Sequence, residues 1–197
     1  MSQTHTTYAM RGRNMAKATL LTVGHGTAAK AEIVRLLRSA GVTSLVDVRT
    51  APGSRRNPDM SRSAMEHWLP REDIAYRWDR RLGGFRKLTP DSPDLMWRNE
   101  SFRAYAGHMR TPEFVDAADE LAEEAHTRTT AIMCGESLWW RCHRRMISDF
   151  LQLTRGIAVR HLMHDGSITE HQPIRGVRVR DDGLLVYDGG QQTLDST

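Results

Sequence analysis

The chain has 197 residues, with 39% hydrophobic and 26% charged side chains and a formal net charge of +4. That length fits a single domain, and the apolar content is enough for a core, which excludes a disordered or fibrous chain. No apolar run approaches the ~20 residues of a membrane helix, the opening MSQTHTTYAMRGRN lacks the apolar stretch of a secretory signal, and two cysteines are too few for a disulfide scaffold. A cytoplasmic protein that does not engage a membrane is the expectation.

Residues 1–17 are polar and read as a loose, flexible tail ahead of one α/β domain over 18–197. Thr19–Val23 reads as a buried strand stopped by Gly24-His25-Gly26. Thr27 is placed to cap a helix whose apolar face is Ile33, Leu36, Leu37 and Ala40, closed by Gly41. Ser44–Val48 is a second strand, so a βαβ unit and a parallel sheet follow. Prolines and glycines break the next stretch into loops, with a short helix at Ser63–Leu69 and a strand at Ile74–Trp78.

Asn99–Met109 reads as a helix, and Thr111-Pro112 opens another with Phe114, Ala117, Ala118, Leu121, Ala122 and Ala125 on one face. Thr130–Cys134 is a buried strand. A helix with a face of His143, Met146, Ile147, Phe150 and Leu151 follows it and stops at Gly156. Ile157–Leu162 is the next strand, and a C-terminal β-hairpin joins Val177–Arg180 to Leu184–Tyr187 across Asp181-Asp182-Gly183. The whole is an α/β fold: a mostly parallel sheet with helices on both faces and a C-terminal hairpin.

Ligands of such sheets bind beyond the carboxyl ends of the strands. Those ends carry Gly24-His25-Gly26, then Asp47 and Arg49, then Cys134-Gly135-Glu136, with Cys142-His143-Arg144 opening the following helix. Asp47 and Arg49, two residues apart, share a strand face. The expected acid–base residues are His25, Asp47, Glu136 and His143. The expected substrate-binding residues are Arg49, Arg55, Arg56 and Arg144, with Trp139 as a stacking surface. Trp139 and Trp140 also read as staples of their loop to the core. The two cysteines are expected to be free, and neither an obligatory nucleophile. C-x7-C-H matches no familiar zinc spacing, so no metal ligand is assigned, and no cofactor is named.

Charge is uneven along the chain. Arg49 to Lys87 holds nine arginines and one lysine, while Glu113 to Glu124 holds six acids and no base. A basic patch beside an acidic helix points to an anionic ligand.

The motifs also resemble the bacterial family called domain of unknown function 488. The resemblance runs through Thr22-Val23-Gly24-His25, Leu45-Val46-Asp47-Val48-Arg49, Pro52-Gly53-Ser54-Arg55-Arg56-Asn57-Pro58, Leu82-Gly83-Gly84, Asn99–Ala106, Met109–Phe114 and Cys134-Gly135-Glu136 with Trp140-Arg141-Cys142-His143-Arg144. Two positions depart from that family's pattern, Gly26 where serine is usual and Gly135 where alanine is. What the resemblance implies is an α/β domain whose polar motifs sit together; it implies no reaction.

The leading expectation is an enzyme acting by acid–base chemistry on a phosphate-bearing or other anionic substrate, a nucleotide or nucleic-acid component. The alternative from another class is a nucleic-acid-binding module gripping phosphates with Arg55, Arg56, Arg62, Arg77, Arg80, Arg81 and Arg86. A third reading is a rhodanese-like sulfur-transfer protein, disfavoured because Glu136 follows the strand-end cysteine.

Overall fold

A computed structural model describes residues 18–53 and 57–190. The expected tail and the expected anion-holding pair Arg55 and Arg56 lie outside the described residues.

Five strands run parallel: β1 (Thr19–Gly24), β2 (Ser44–Asp47), β3 (Ala75–Trp78), β4 (Thr130–Cys134) and β5 (Ala158–Leu162). A sixth, β6 (Ile168–Glu170), joins β5 antiparallel, giving the order β3-β2-β4-β1-β5-β6. The inner strands β1, β2 and β4 are covered on both faces, which is why they read as nearly unbroken apolar runs. The edge strand β6 gives no such signal, since all three of its residues are exposed, and the sequence reading omitted it. Two short strands, β7 (Arg178–Val179) and β8 (Leu185–Val186), form the expected hairpin as a separate sheet.

Helices α1 (Lys30–Ser39) and α2 (Arg62–Trp68) pack on one sheet face, where Ile33, Leu36, Leu37, Met65 and Trp68 meet Leu21, Val23, Leu45 and Met133. Helices α3 (Glu100–His108), α4 (Pro112–Thr127) and α5 (Arg144–Arg155) cover the other, where Tyr105, Phe114, Leu121, Ile147 and Phe150 meet Leu20, Val46, Ile132 and Val159. The buried face of α4 is the one its periodicity predicts, and Thr111 caps it through its hydroxyl. Thr27 does not cap α1; the helix starts three residues later, with Ala29 at its N-cap and no side-chain cap.

Register then sets the site. Gly24 pairs with Cys134, and Asp47 with Met133, so the ends of β1, β2 and β4 lie side by side. β1 and β2 lead to α1 and α2 on one face, whereas β4 leads to α5 on the other. The loops therefore part around the carboxyl end of β4, the switch point at which open α/β sheets form a crevice.

Candidate active site

A cavity of about 400 Å³ occupies that crevice, within the range of small-ligand sites. Arg49 to Ala51 enter it from the end of β2, and Cys134 to Glu136 from the end of β4. Arg141 to His143 come from the turn before α5, and Asn99, Ser101, Phe102 and Tyr105 from the start of α3. Gly84 and Phe85 form its lip, with Phe85 83% exposed. The lip can cross so close because residue 84 has no side chain: a Cβ there would lie 2.6 Å from His143 Nδ1. A second hollow, of about 610 Å³, lies beside Gly135 and Glu136 and is lined by Gly26, Thr27, Asn57, Asp59 and Ser137.

The predicted rim residues do converge, though they hold different stations. Backbone bonds from His25 and Gly26 to the Cys134 and Gly135 carbonyls, both 3.0 Å, tie the end of β1 to the end of β4. Asp47 is fully buried; both of its oxygens accept from Arg49, and one also from the Tyr76 hydroxyl at 2.9 Å. Burial and the neighbouring Asp47 push the Tyr76 phenol well above its ordinary range, so it remains a donor. Arg49 Nη1 donates to His25 Nε2 at 3.2 Å, so His25 carries its proton on Nδ1 and gives it to the Gly26 carbonyl at 2.9 Å. Burial, with the Arg49 charge next, lowers the His25 pKa and keeps the ring neutral. The chain Tyr76–Asp47–Arg49–His25 thus fixes one guanidinium at the cavity wall, 8% exposed.

Arg144 sits deeper than the sequence reading placed it. At 1% exposure it does not line the cavity. It donates to Cys142 Sγ at 3.4 Å and to the Glu136 and Ser137 carbonyls, and it forms no ion pair with a described carboxylate. The buried guanidinium is thus held by two carbonyls and the Cys142 sulfur in place of a carboxylate. The neighbouring Cys134 thiol lowers the Cys142 pKa well below the ordinary thiol value, assisted by His143 and Arg144, while Cys142 and burial raise that of Cys134. Both cysteines are free, as expected.

His143 is held by two contacts. Its Nε2–H donates to the Val48 carbonyl at 3.0 Å, and Tyr105 packs edge-on at 5.1 Å between ring centres. Its Nδ1 therefore faces the sulfurs, 3.6 Å from Cys142 and 4.0 Å from Cys134. The sequence reading gave His143 an acid–base role and assigned no metal ligand, because C-x7-C-H matches no familiar zinc spacing; residues eight and nine positions beyond Cys134 fall beside it only after the Trp139–Arg141 turn folds the chain back.

Glu136 is exposed and borders both hollows, with one oxygen accepting from Leu138 N at 3.0 Å. Arg141, to which the sequence reading gave no function, is exposed at the cavity, and its guanidinium makes no hydrogen bond or ion pair with any described residue. Trp139 does not line either hollow. It stacks flat on His161 at 3.8 Å, with Trp140 edge-on against it. His161 belongs to a buried line in which Thr22, His161, His171, Asp149 and Tyr187 are hydrogen-bonded in turn. Trp139 is therefore the staple its loop requires. At position 26, where serine would be usual in the family it resembles, the Ser137 hydroxyl fills the space, 2.0 Å from where a Cβ would be.

Most of the other arginines are occupied. Arg77 pairs with Glu124 and Asp79, Arg81 with Asp79 and Glu120, and Arg62 with Glu66, while Arg86 donates to the carbonyls of residues 80, 81 and 83. No helix among the described residues is long and apolar enough to cross a membrane.

A family model, described as "Domain of unknown function DUF488", matches residues 29–151, more than half of the chain. No curated protein and no solved structure matches it.

Proposed function

The chain belongs to the DUF488 family, and from its geometry we propose that it is an enzyme acting on a phosphate-bearing or other anionic substrate of nucleotide size in the crevice beyond β2 and β4. The observation that carries this reading is the lining of one cavity. Two guanidiniums, the tethered Arg49 and the unpaired Arg141, and the N-terminus of α3 at Asn99 and Ser101 all border a cavity of about 400 Å³. One held and one unpaired guanidinium favour an anion, and the positive end of the α3 dipole adds to them. Phe85, Phe102 and Tyr105 offer an apolar surface for the remainder of the molecule.

In this reading Glu136 is the acid–base group, because it alone of the carboxylates at the rim reaches the cavity. Asp47 and His25 are positioning residues: both carboxylate oxygens of Asp47 and Nε2 of His25 take hydrogen bonds from Arg49, and they act by aiming it. Arg144 is likewise a positioning residue, bracing the loop that carries Glu136. A nucleic-acid coat has less support, since Arg62, Arg77 and Arg81 are matched to carboxylates on the chain itself.

The test is equilibrium binding and turnover with orthophosphate, nucleoside monophosphates and nucleoside diphosphates. Arg141→Ala is expected to weaken binding at least ~10-fold, the effect of losing ~1.4 kcal/mol. Glu136→Gln is expected to retain binding and slow turnover by ~100-fold or more. Absence of binding across the series, or binding indifferent to Arg141→Ala, would overturn the reading.

A further inference from the structure

We infer that Cys134, Cys142 and His143 form a zinc site with three protein ligands and a fourth position open to the cavity. The ligand atoms Sγ, Sγ and Nδ1 all lie within 4.8 Å of one another. Around tetrahedral zinc, with Zn–S ~2.3 Å and Zn–N ~2.0 Å, neighbouring ligands stand about 3.5–3.8 Å apart. The observed Nδ1 separations of 3.6 Å and 4.0 Å lie near that spacing, and the two sulfurs, no more than 4.8 Å apart, reach it by drawing in by at most about 1 Å.

The surroundings are those of a ligand set rather than of three residues in chance contact. Val48 takes the Nε2 proton of His143, which leaves the Nδ1 lone pair directed at the sulfurs. A histidine ligand held by a backbone carbonyl through its other nitrogen is the usual outer-shell arrangement at metal sites. Arg144 donates to Cys142 Sγ, as outer-shell groups do to metal thiolates. Two thiolates neutralise a divalent ion, which suits a half-buried position, and soft sulfur donors with one imidazole select zinc over magnesium or calcium.

The site is rigidly built. Cys134 ends the central strand β4, and His143 is the N-cap of α5. All three residues line the cavity that Glu136 and Arg141 share, so a coordinated water or substrate oxygen would face that space. Three protein ligands and one open position form the pattern of catalytic rather than structural zinc. Metal binding goes beyond the acid–base reading and does not depend on which anion the cavity takes.

The experiment uses the full chain purified under reducing conditions without chelators. Elemental analysis is expected to find one zinc per chain. Titration of the apoprotein with Co²⁺ is expected to give the visible bands of a tetrahedral ion with thiolate-to-cobalt charge transfer. Cys134→Ser, Cys142→Ser and His143→Ala should each weaken zinc binding at least ~100-fold, at or beyond the ~10–100-fold of a lost outer-shell contact. Glu136→Gln should keep full stoichiometry. The cobalt spectrum of the unmutated chain decides the matter even if a variant misfolds. An octahedral spectrum, no zinc retained at micromolar concentration, or a Cys134–Cys142 disulfide persisting with zinc and reductant present would each overturn the site. Anion binding through Arg141 in a chain that takes no zinc would sink the metal alone; zinc bound without any anion binding would sink only the proposed function.

Discussion

Asp47→Asn removes the carboxylate that offsets Arg49 and leaves the rest of the side chain the same size. In the native chain the guanidinium donates to Asp47 at 2.8 Å and 3.1 Å from Nε and at 2.5 Å from Nη2, and the Arg49 backbone N–H adds a bond of 3.1 Å. Asparagine keeps one acceptor and turns an NH₂ toward a cation that is 8% exposed. Breaking one half of a buried pair costs about 3–5 kcal/mol, because the remaining charge stays out of water. For a chain of this size that lowers Tm by roughly 6–20 °C.

Urea unfolding should show a lower midpoint at an unchanged slope. Asp47→Leu combined with Arg49→Met should be less destabilised than the sum of the two single changes by at least ~1.5 kcal/mol, the mark of a coupled pair. A loss below ~1 kcal/mol for Asp47→Asn, or strict additivity, would refute the claim that this pair is a buried electrostatic unit.

Gly84→Ala should cost about 1–3 kcal/mol by driving a methyl group onto the held His143 ring, and should weaken ligand binding in the cavity; Gly53→Ala, where a Cβ meets no described residue within 4 Å, should stay within ~0.5 kcal/mol. Trp139→Ala should lower thermal stability while leaving anion affinity within about twofold, since the ring stacks on His161 rather than facing a hollow. Burial, with His171 and then Arg144, lowers the pKa of His161 to about 3. The unfolded chain takes up that proton first, near pH 6.5, so the native state loses stability as pH falls from 6.5 toward 3. Below pH 6, His161→Gln should reduce the slope of stability against pH by up to ~1.4 kcal/mol per pH unit, one proton's worth; an unchanged slope would show that His161 titrates normally.

The fold was readable where pattern and burial agree. The apolar face of α4 and the runs of β1, β2 and β4 are legible because each segment has a single burial environment. Helix α5 was harder: Arg144, Ser148 and Asp149 are buried along with its apolar face, because the His171 and Tyr187 segments cover its polar side and bond Asp149. The parallel-sheet rule brought His25, Asp47, Arg49, Glu136 and His143 to one rim, but it says nothing of depth. Depth separates Asp47 and Arg144, which brace, from Glu136 and Arg141, which face the cavity. Cys134, Cys142 and His143 stood out in the sequence, but their closeness was not legible, because it depends on a turn of three residues rather than on spacing along one helix or strand.

The central claim is that the crevice beyond β2 and β4 is where an anionic substrate binds. Backbone amide chemical shifts followed during titration with a nucleoside monophosphate test it most directly. The account predicts saturable shifts confined to the cavity lining, at Thr50, Gly84, Ser101, Gly135, Glu136 and Arg141, and their loss in Arg141→Ala. Shifts centred instead on the paired arginines around Arg77 and Arg81, or none at millimolar ligand, would contradict it.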